Sequence, residues 1–302
     1  MSTKLLVAGA INTDLVVNVD RAPNAGETIT GRSFAIHSGG KGANQAVAAA
    51  RAGGNVVMLG GVGDDQFGRE RLRDLASDGI DVSHVGTVGD AASGVALITV
   101  EVSGENRISY VPGATLKVLP EQCQQVIETV HPAMILAANE LSHACNQQLF
   151  GFANAHGIPV IFNAAPFTRE AVDLLPLVDV LIVNRGEAAA LLGQHAGDHH
   201  PEALASGLRD LGVREIVITL GSEGVFAMHG DDGLTLSARK VDVVDTTGAG
   251  DTFCGAFAAR MLEGSSFREA VAHANIAGAL ATTRAGAQSS IPTREDVARI
   301  AG

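Results

Sequence analysis

Residues 133–162 read AMILAANELSHACNQQLFGFANAHGIPVIF, and this stretch decides the fold class. An apolar run at 133–138 precedes a segment of helical length at 143–156, and a second apolar run at 158–162 follows Gly157. Short apolar runs bounded by turn residues suit buried strands, and a helix between two of them makes a crossover unit. Such crossovers are right-handed and leave their strands parallel.

The rhythm continues outward in both directions. Toward the C-terminus the pattern predicts strand 178–183, helices 186–193 and 202–211, and strand 215–220. Short strands at 224–229 and 234–243 follow, then helices starting near 250, 267 and 293. Toward the N-terminus it predicts helix 119–129, helix 65–78 closed by Gly79, and strand NVVMLGG at 55–61. An Ala-rich helix from 43 ends at Gly53-Gly54, and the first strand spans 4–11. This alternation means an α/β fold built on a mainly parallel sheet flanked by helices.

Two strand-rich stretches break the rhythm: 13–36, around the PNAG turn at 23–26, and 94–115, a hairpin turning at SGEN. Both are expected to leave the main sheet and form a small β lid of the kind that excludes water over a substrate. The expected division is a core of residues 1–12, 37–93 and 116–302, with 13–36 and 94–115 as the inserted lid.

Composition narrows the function. The 302 residues, 46% of them hydrophobic, are enough for a sizeable core in one large α/β domain or two domains. No apolar run approaches the roughly 20 residues of a membrane helix, so no membrane partner is expected. The opening MSTKLLVAGAIN reads as the first strand, not as a cleaved leader, and a cytoplasmic location is the expectation. Cys123, Cys145 and Cys254 are scattered and odd in number, which argues against a disulfide framework or a zinc site. With 21 basic and 33 acidic residues the net charge is −12, unsuited to nucleic acid. The single Tyr, the absence of Trp and 4% aromatic content also remove the stacking platforms of single-strand binders. An anion must therefore be held by local dipoles and a metal. Glycine is the compositional signal: 36 of 302 residues, about 12% against an ordinary ~7%, clustered in GGKG (39–42), GGVG (60–63) and GAG (248–250). Clustered glycines serve special backbone geometry.

The densest chemistry lies in DTTGAGDTFCGAF, residues 245–257. Gly248, Ala249 and Gly250 offer free N–H groups at a helix start and room for a phosphate. Phe253, Phe257 and Met261 recur every four residues and would pin one face of that helix to the core. A carboxylate at a helix start is favoured by the dipole, by roughly 0.3–1 kcal/mol, which alone accounts for many such residues. Here, however, Asp251 would repel the very anion the turn attracts. Its place makes sense if it accepts a proton from a hydroxyl attacking phosphorus, because phosphoryl transfer needs positioning, a base and positive potential. Competing phosphate motifs are absent: there is no G-x-x-x-x-G-K-[ST], and GAINTD follows the first strand where a dinucleotide fold has G-x-G-x-x-G.

A second constellation is GGKGANQA at 39–46, where Lys41 and Asn44 beside glycines suit a polyhydroxylated ligand. Asn12 and Asp14 lie past the carboxyl end of the first strand, where open α/β sheets bind ligands. Other polar clusters have plainer readings. His195, His199 and His200 form a solvated loop without a fourth metal ligand. Cys254 packs. Asp64 and Asp65 read as helix caps, and Phe34 and Tyr110 as lid packing.

Four segments together resemble the ribokinase (PfkB) family of carbohydrate kinases: AINTD (10–14), PNAGETITG (23–31), SGGKGANQAVAAARAGG (38–54) and VDTTGAGDTFCGAF (244–257). The likeness runs over essentially the whole chain, and the N- and C-terminal signatures in order are highly specific. It implies a ribokinase-like, Rossmann-type, mainly parallel sheet flanked by helices with a small β-sheet lid. It also implies ATP-dependent phosphorylation of a sugar hydroxymethyl group, at O5 where the sugar is ribose. In that reading Asp251 is the general base, and the amides of Gly248, Ala249 and Gly250 form an anion hole. Substrate hydroxyls would meet Asn12, Asp14, Gly40, Lys41, Asn44 and Glu140. Asn184 and Glu187 of NRGE (184–187) would organise Mg²⁺ and phosphates, largely through water. Thr219, Gly221 and Gly224 of TLGSEG (219–224) would line ATP, and Asn275 would lie near adenine. K⁺ would sit among Asp245, Thr247, Ala281, Arg284, Gly286 and Ser290, with Arg284 contributing backbone alone. A homodimer through the β lid is implied as well. Three departures, AAN before Glu140, Thr115 in PGAT and NAAP at 163–166, leave the sugar open. Acceptors such as 2-deoxyribose, a nucleoside or a ketohexose stay in play, as does a sugar- or nucleotide-binding regulator on a retired kinase scaffold.

Overall fold

The computed structural model describes residues 3–195, 197 and 199–301. The chain opens with β1 (Lys4–Ala8), β2 (Asn12–Val19), β3 (Ser33–Gly39), α1 (Lys41–Arg51), β4 (Asn55–Gly63), α2 (Gln66–Ser77) and β5 (Val85–Val88). The hairpin β6 (Gly94–Glu101) and β7 (Asn106–Val111) follows, then α3 (Pro120–Val130), β8 (Met134–Ala138), α4 (His143–Ala155) and β9 (Val160–Asn163). Next come β10 (Val180–Asn184), α5 (Arg185–Leu191), α6 (Pro201–Asp210) and β11 (Glu215–Thr219). The chain closes with β12 (Val225–His229), β13 (Asp232–Leu236), α7 (Ala249–Leu262), α8 (Phe267–Ala281) and α9 (Arg294–Ala301).

Nine strands form one sheet in the order β13-β12-β11-β10-β9-β8-β1-β4-β5. All pairings are parallel except those of β12 and β13 at one edge. Alternate residues of each strand face opposite helical layers: Leu6 and Ala8 enter one core, Leu5 and Val7 the other. Strands buried on both faces read as continuous apolar runs, which is why the sequence rhythm shows them. The two stretches that broke the rhythm assemble a separate four-stranded sheet, β3-β2-β6-β7. Among the described residues no helix is long and apolar enough to cross a membrane.

Some element limits differ from the sequence reading. The expected strand within 27–36 starts only at Ser33. Before it, the Glu27 carboxylate bonds Arg21 and accepts from the Asn24 N–H, so the PNAG turn is extended by its own side chains. The strand expected at 234–243 ends at Leu236, after which the Ala238 N–H turns back to the Glu223 carbonyl at 3.3 Å. Neither β5 nor the 3₁₀ segment Arg169–Leu177 was anticipated. The first is four residues at the sheet edge without a buried face, and the second carries Pro176 internally.

One contact positions everything that follows. Helices α1 and α7 pack so closely that a Cβ on Gly255 would stand 2.3 Å from the Gln45 carbonyl oxygen and 2.6 Å from the Ala48 Cβ. Opposite that contact Phe253 and Phe257 are buried, as their spacing predicted, and Met261 is partly so.

Candidate active site

Helix α7 begins at Gly248, whose φ of 75° is left-handed and whose Cβ position lies 3.2 Å from the Ala287 Cα. No side chain caps this terminus; the Ala249 N–H reaches back to the Thr246 carbonyl at 3.3 Å, and the N–H groups of Gly248 and Gly250 stay available to a ligand. Gly250 is exposed, with nothing within 4 Å of where a Cβ would sit. Ala249 and Gly250 thus present backbone, and the helix dipole adds positive potential there.

Asp251, in the same turn, is buried. Its Oδ2 accepts from Asn44 Nδ2 at 2.9 Å and its Oδ1 from Gln45 Nε2 at 3.2 Å. Gln45 Nε2 also donates to Asn163 Oδ1 at 3.0 Å, and Asn163 Nδ2 donates to the Ile182 carbonyl at 2.9 Å. Two neutral amides from α1, one of them anchored through β9 to β10, therefore fix the carboxylate. Burial raises its pKa above the ordinary value, against the lowering by the Lys41 charge and by both amides. A desolvated carboxylate held open by neutral donors is a stronger base than one in water.

Lys41 stands in the first turn of α1. The Asp251 charge raises its pKa first, opposed by burial, with Glu140 and Glu187 adding to the rise, so it stays a cation. Glu140 accepts three backbone N–H groups, from Ala10 (2.8 Å), Gly42 (2.9 Å) and Lys41 (3.1 Å), and thereby ties β1 to the start of α1. Burial still pushes its carboxyl up overall. Asp14 is pushed up to about 6, chiefly by burial and also by Asp251, against His37 and Arg71. Asn12 and Asn44 are buried, and the Oδ1 of each has no hydrogen-bond partner. Gly40 is the residue before α1. Asn12, Asp14, Gly40, Lys41, Asn44, Glu140 and Asp251 thus converge on one place, from β2, α1, the end of β8 and α7.

The residues expected around a nucleotide occupy the neighbouring strand ends. Asn184 and Glu187 cap α5 reciprocally: Asn184 Oδ1 accepts the Glu187 N–H at 2.8 Å, and Glu187 Oε2 accepts the Asn184 N–H at 2.9 Å. Burial raises the Glu187 pKa, with Lys41 lowering it and Asp251 raising it, which places this pair in the same electrostatic field. Asn184 and Thr219 are register partners on β10 and β11. Gly221 and Gly224 follow in the turn after β11, held by the two bonds of Arg185 Nη2 to Glu223 at 2.9 and 3.0 Å. Asn275, on α8, donates to the Ser237 carbonyl at 2.8 Å.

The expected cation ligands gather at the other flank of the turn. Asp245 Oδ1 accepts from the Thr247 N–H (2.9 Å) and hydroxyl (2.7 Å), and its Oδ2 from the Gly286 N–H (2.8 Å). Burial works to raise this carboxyl, and those bonds outweigh it and hold the pKa below the usual range. Ala281 ends α8, where helix carbonyls lack helical partners. Arg284, Gly286 and the buried Ser290 follow in the loop that wraps Asp245. The donor set is oxygen only, which suits a hard cation.

Other sequence readings resolve as follows. Asp65 caps α2, accepting the Gly68 N–H at 2.8 Å, whereas Asp64 pairs with Arg69. Cys254 is buried packing. Residues 196 and 198 of the QHAGDHH loop lie outside the described residues, and His199 Nε2 bonds the His195 carbonyl at 2.8 Å. Among the described residues, no group of three or more His, Cys, Asp or Glu could hold a metal. Asn139 does not join the cluster, for its carboxamide donates to the Pro166 carbonyl (2.8 Å) and the Thr168 hydroxyl (3.1 Å). Gln45 and Asn163 were missed as site residues. Both stood inside quoted motifs, but only the fold brings them together.

A family model described as pfkB family carbohydrate kinase matches residues 2–294. The chain is 36% identical to a ribokinase of Haemophilus influenzae over 98% of this chain and 97% of that one. It is 39% identical to a ribokinase of Schizosaccharomyces pombe over 97% and 96%. The solved Arabidopsis thaliana ribokinase, complexed with ribose and ATP, superposes with a TM-score of 0.90 at 30% identity, covering 99% of each chain. Fold, site and matched length agree: the chain belongs to the pfkB family of carbohydrate kinases.

Proposed function

We propose that this protein is an ATP-dependent kinase that transfers the γ-phosphoryl group of ATP to O5 of ribose. The observation that carries the reading is Asp251, buried and held by two neutral amides beside an uncapped helix N-terminus. The acceptor hydroxyl attacks phosphorus in line, a new O–P bond forms as the bond to ADP breaks, and the hydroxyl proton passes to Asp251. The N–H groups of Gly248, Ala249 and Gly250 bind the oxygens of the transferred group, and Lys41 offsets their charge. Asn12, Asp14, Gly40, Asn44 and Glu140 orient the sugar. Asn184, Thr219, Gly221, Gly224 and Asn275 hold the nucleotide.

Mg²⁺, when bound with the phosphates, would supply charge neutralisation, and Glu187 and Asn184 are the residues that would organise it, largely through water. A K⁺ ion at Asp245, Thr247, Ala281, Arg284, Gly286 and Ser290 supplies positive potential behind the anion hole in a chain of net charge −12. Three free, buried cysteines fit a reducing, cytoplasmic setting.

The test is ADP release with ATP and Mg²⁺ against ribose, 2-deoxyribose, fructose and nucleosides, with and without K⁺. Ribose is expected to give the fastest turnover, raised by K⁺. A faster acceptor would displace ribose as the substrate, and indifference to K⁺ would remove the cation site.

Acidity gives a second expected result. Ionised Asp14 accepts sugar hydroxyls on both oxygens with charge-assisted bonds, and protonation turns one oxygen into a donor and removes the charge, so the KM for ribose rises as pH falls through about 6 while the KM for ATP stays level. The folded value lies above the ordinary 3.8, so the stability that Asp14 contributes is present below about 4 and is lost as pH rises through about 6. Acid therefore weakens sugar binding without unfolding the site through this group. A ribose KM that is flat from pH 5 to 8 would take Asp14 out of the acceptor site.

The four-stranded sheet, built from 13–36 and 94–115 with the residues flanking them, serves as a lid. Register puts Phe34, Ile36, Leu97 and Val111 on one of its faces, and all four are exposed. A patch of that kind calls for a partner, and a second copy through the same face gives a homodimer. Light scattering at micromolar concentration should read twice the chain mass, and Leu97→Asp should halve it. A monomeric wild type would overturn the assembly.

A further inference from the structure

The loop after α8 carries three of the expected cation ligands, Arg284, Gly286 and Ser290, and its backbone carbonyls divide into two groups. Those of Ala285 and Ala287 accept from within the loop: Ala285 from the Ser289 hydroxyl at 2.9 Å, and Ala287 from the Ser290 N–H and hydroxyl at 3.2 and 2.8 Å. Those of Gln288 and Ile291 accept from Arg51, which lies 237 positions before Gln288. The carbonyls of Arg284 and Gly286 accept no hydrogen bond from the described residues. The expected ligands are thus the carbonyls that the protein leaves unbonded, and a distant side chain holds two of their neighbours.

Arg51 closes α1, the helix whose other end supplies Lys41, Asn44 and Gln45. Its plain reading is a cation placed to suit the C-terminal dipole. Yet the last carbonyls of α1 are taken by backbone, those of Ala48, Ala49 and Ala50 accepting from Ala52, Gly54 and Gly53. The guanidinium is spent elsewhere. Its Nη1 donates to the Gln288 carbonyl at 2.7 Å and to the Ile291 carbonyl at 3.0 Å. Its Nε and Nη2 donate to the two oxygens of Asp78 at 2.8 and 3.1 Å. Asp78 stands at the C-terminal end of α2, where a carboxylate gains nothing from the dipole, so the bidentate pair accounts for its place. That pair orients the guanidinium fork and neutralises its charge behind the loop.

The loop also backs the phosphate turn. The Ala287 Cα lies 3.2 Å from the Cβ position of Gly248, and the Gly286 N–H donates to Asp245 at 2.8 Å. A shift of the loop therefore moves the expected cation ligands and the anion hole together. We propose that Arg51 is a positioning residue for the monovalent cation, holding the 284–291 loop in its ligating form through the Gln288 and Ile291 carbonyls. This rests on the cation site of the preceding subsection. A loop held in that form binds the ion at its intrinsic affinity. A loop in that form only part of the time binds with an affinity reduced by the same fraction, and saturating ion restores the ordered form.

The test compares wild type, Arg51→Met and Arg51→Lys by the K⁺ concentration giving half-maximal turnover, by kcat at saturating K⁺, and by the Tm rise that KCl causes relative to choline chloride without substrates. Arg51→Met is expected to raise the half-saturating K⁺ about tenfold, shrink the Tm rise at a fixed KCl concentration, and regain most of the wild-type kcat at saturating K⁺. Arg51→Lys keeps the charge, but one ammonium cannot span two carbonyls and both Asp78 oxygens. It should shift the same quantities in the same direction by less, and it carries the test if Arg51→Met does not fold. If neither variant shifts the half-saturating K⁺, the proposal is overturned, since a lower Tm without K⁺ marks only a structural role. A wild type whose turnover and Tm are both indifferent to K⁺ would remove the cation site itself, and this proposal with it.

Discussion

Replacing Asp251 with Asn lowers kcat by about 10²–10⁴, the range lost with a general base, while nucleotide affinity and Tm at pH 7 hold. The substitution keeps shape and removes the proton acceptor. It also turns one carboxylate oxygen into a donor facing the amides of Asn44 and Gln45. Those amides can rotate, because Asn44 Oδ1 and Gln45 Oε1 are buried without partners and would become acceptors for the new N–H. Stability follows the sign of the pKa shift. Burial is the largest influence and lifts the folded value above the unfolded one, so the group stabilises the fold at low pH and loses that contribution as pH rises through the folded value. Once ionised, the buried carboxylate carries a cost that the neutral amide avoids, which offsets the exchanged hydrogen bonds and the lost pairing with Lys41, and Lys41 retains Glu140 and Glu187 nearby. A variant with near-normal kcat would remove Asp251 as the base. A variant that fails to fold would make it a structural residue.

The main sheet was legible because each central parallel strand is buried on both faces and reads as an unbroken apolar run. β5 has no buried face and left no such run. The start of β3 was misplaced because side-chain bonds among Arg21, Asn24 and Glu27 hold the preceding turn, and no periodicity records them. The site divides the same way. Residues that work through backbone or charge, Gly248, Gly250, Lys41 and Asp251, announce themselves as glycine runs interrupted by a charge. Gln45 and Asn163 work through a contact spanning 118 positions, and an amide in a helix carries no local sign of that.

Two glycines of α7 separate the scaffold from the chemistry, and Gly255→Ala carries the second large effect. A Cβ there meets backbone, 2.3 Å from the Gln45 carbonyl oxygen and 2.7 Å from the Ala49 nitrogen, so no rotamer change relieves it. The helices must separate, at a cost of about 1–3 kcal/mol for an overpacked contact. Gly255 lies one turn beyond Asp251, so separation lengthens the bonds from Asn44 and Gln45, now 2.9 and 3.2 Å. A displacement near 1 Å in such a site lowers kcat by about a hundredfold. Gly250→Ala is the control, because its Cβ position has nothing within 4 Å and a helical Gly→Ala change favours the helix by about 1 kcal/mol. It should keep or raise the urea midpoint while kcat falls, since its methyl group enters the space left for phosphate. Urea melts and kcat measured on both variants decide the matter. If Gly255→Ala keeps wild-type stability and turnover, the α1–α7 contact does not set the base. If Gly250→Ala keeps full turnover, the open face of that turn does not receive the phosphoryl group.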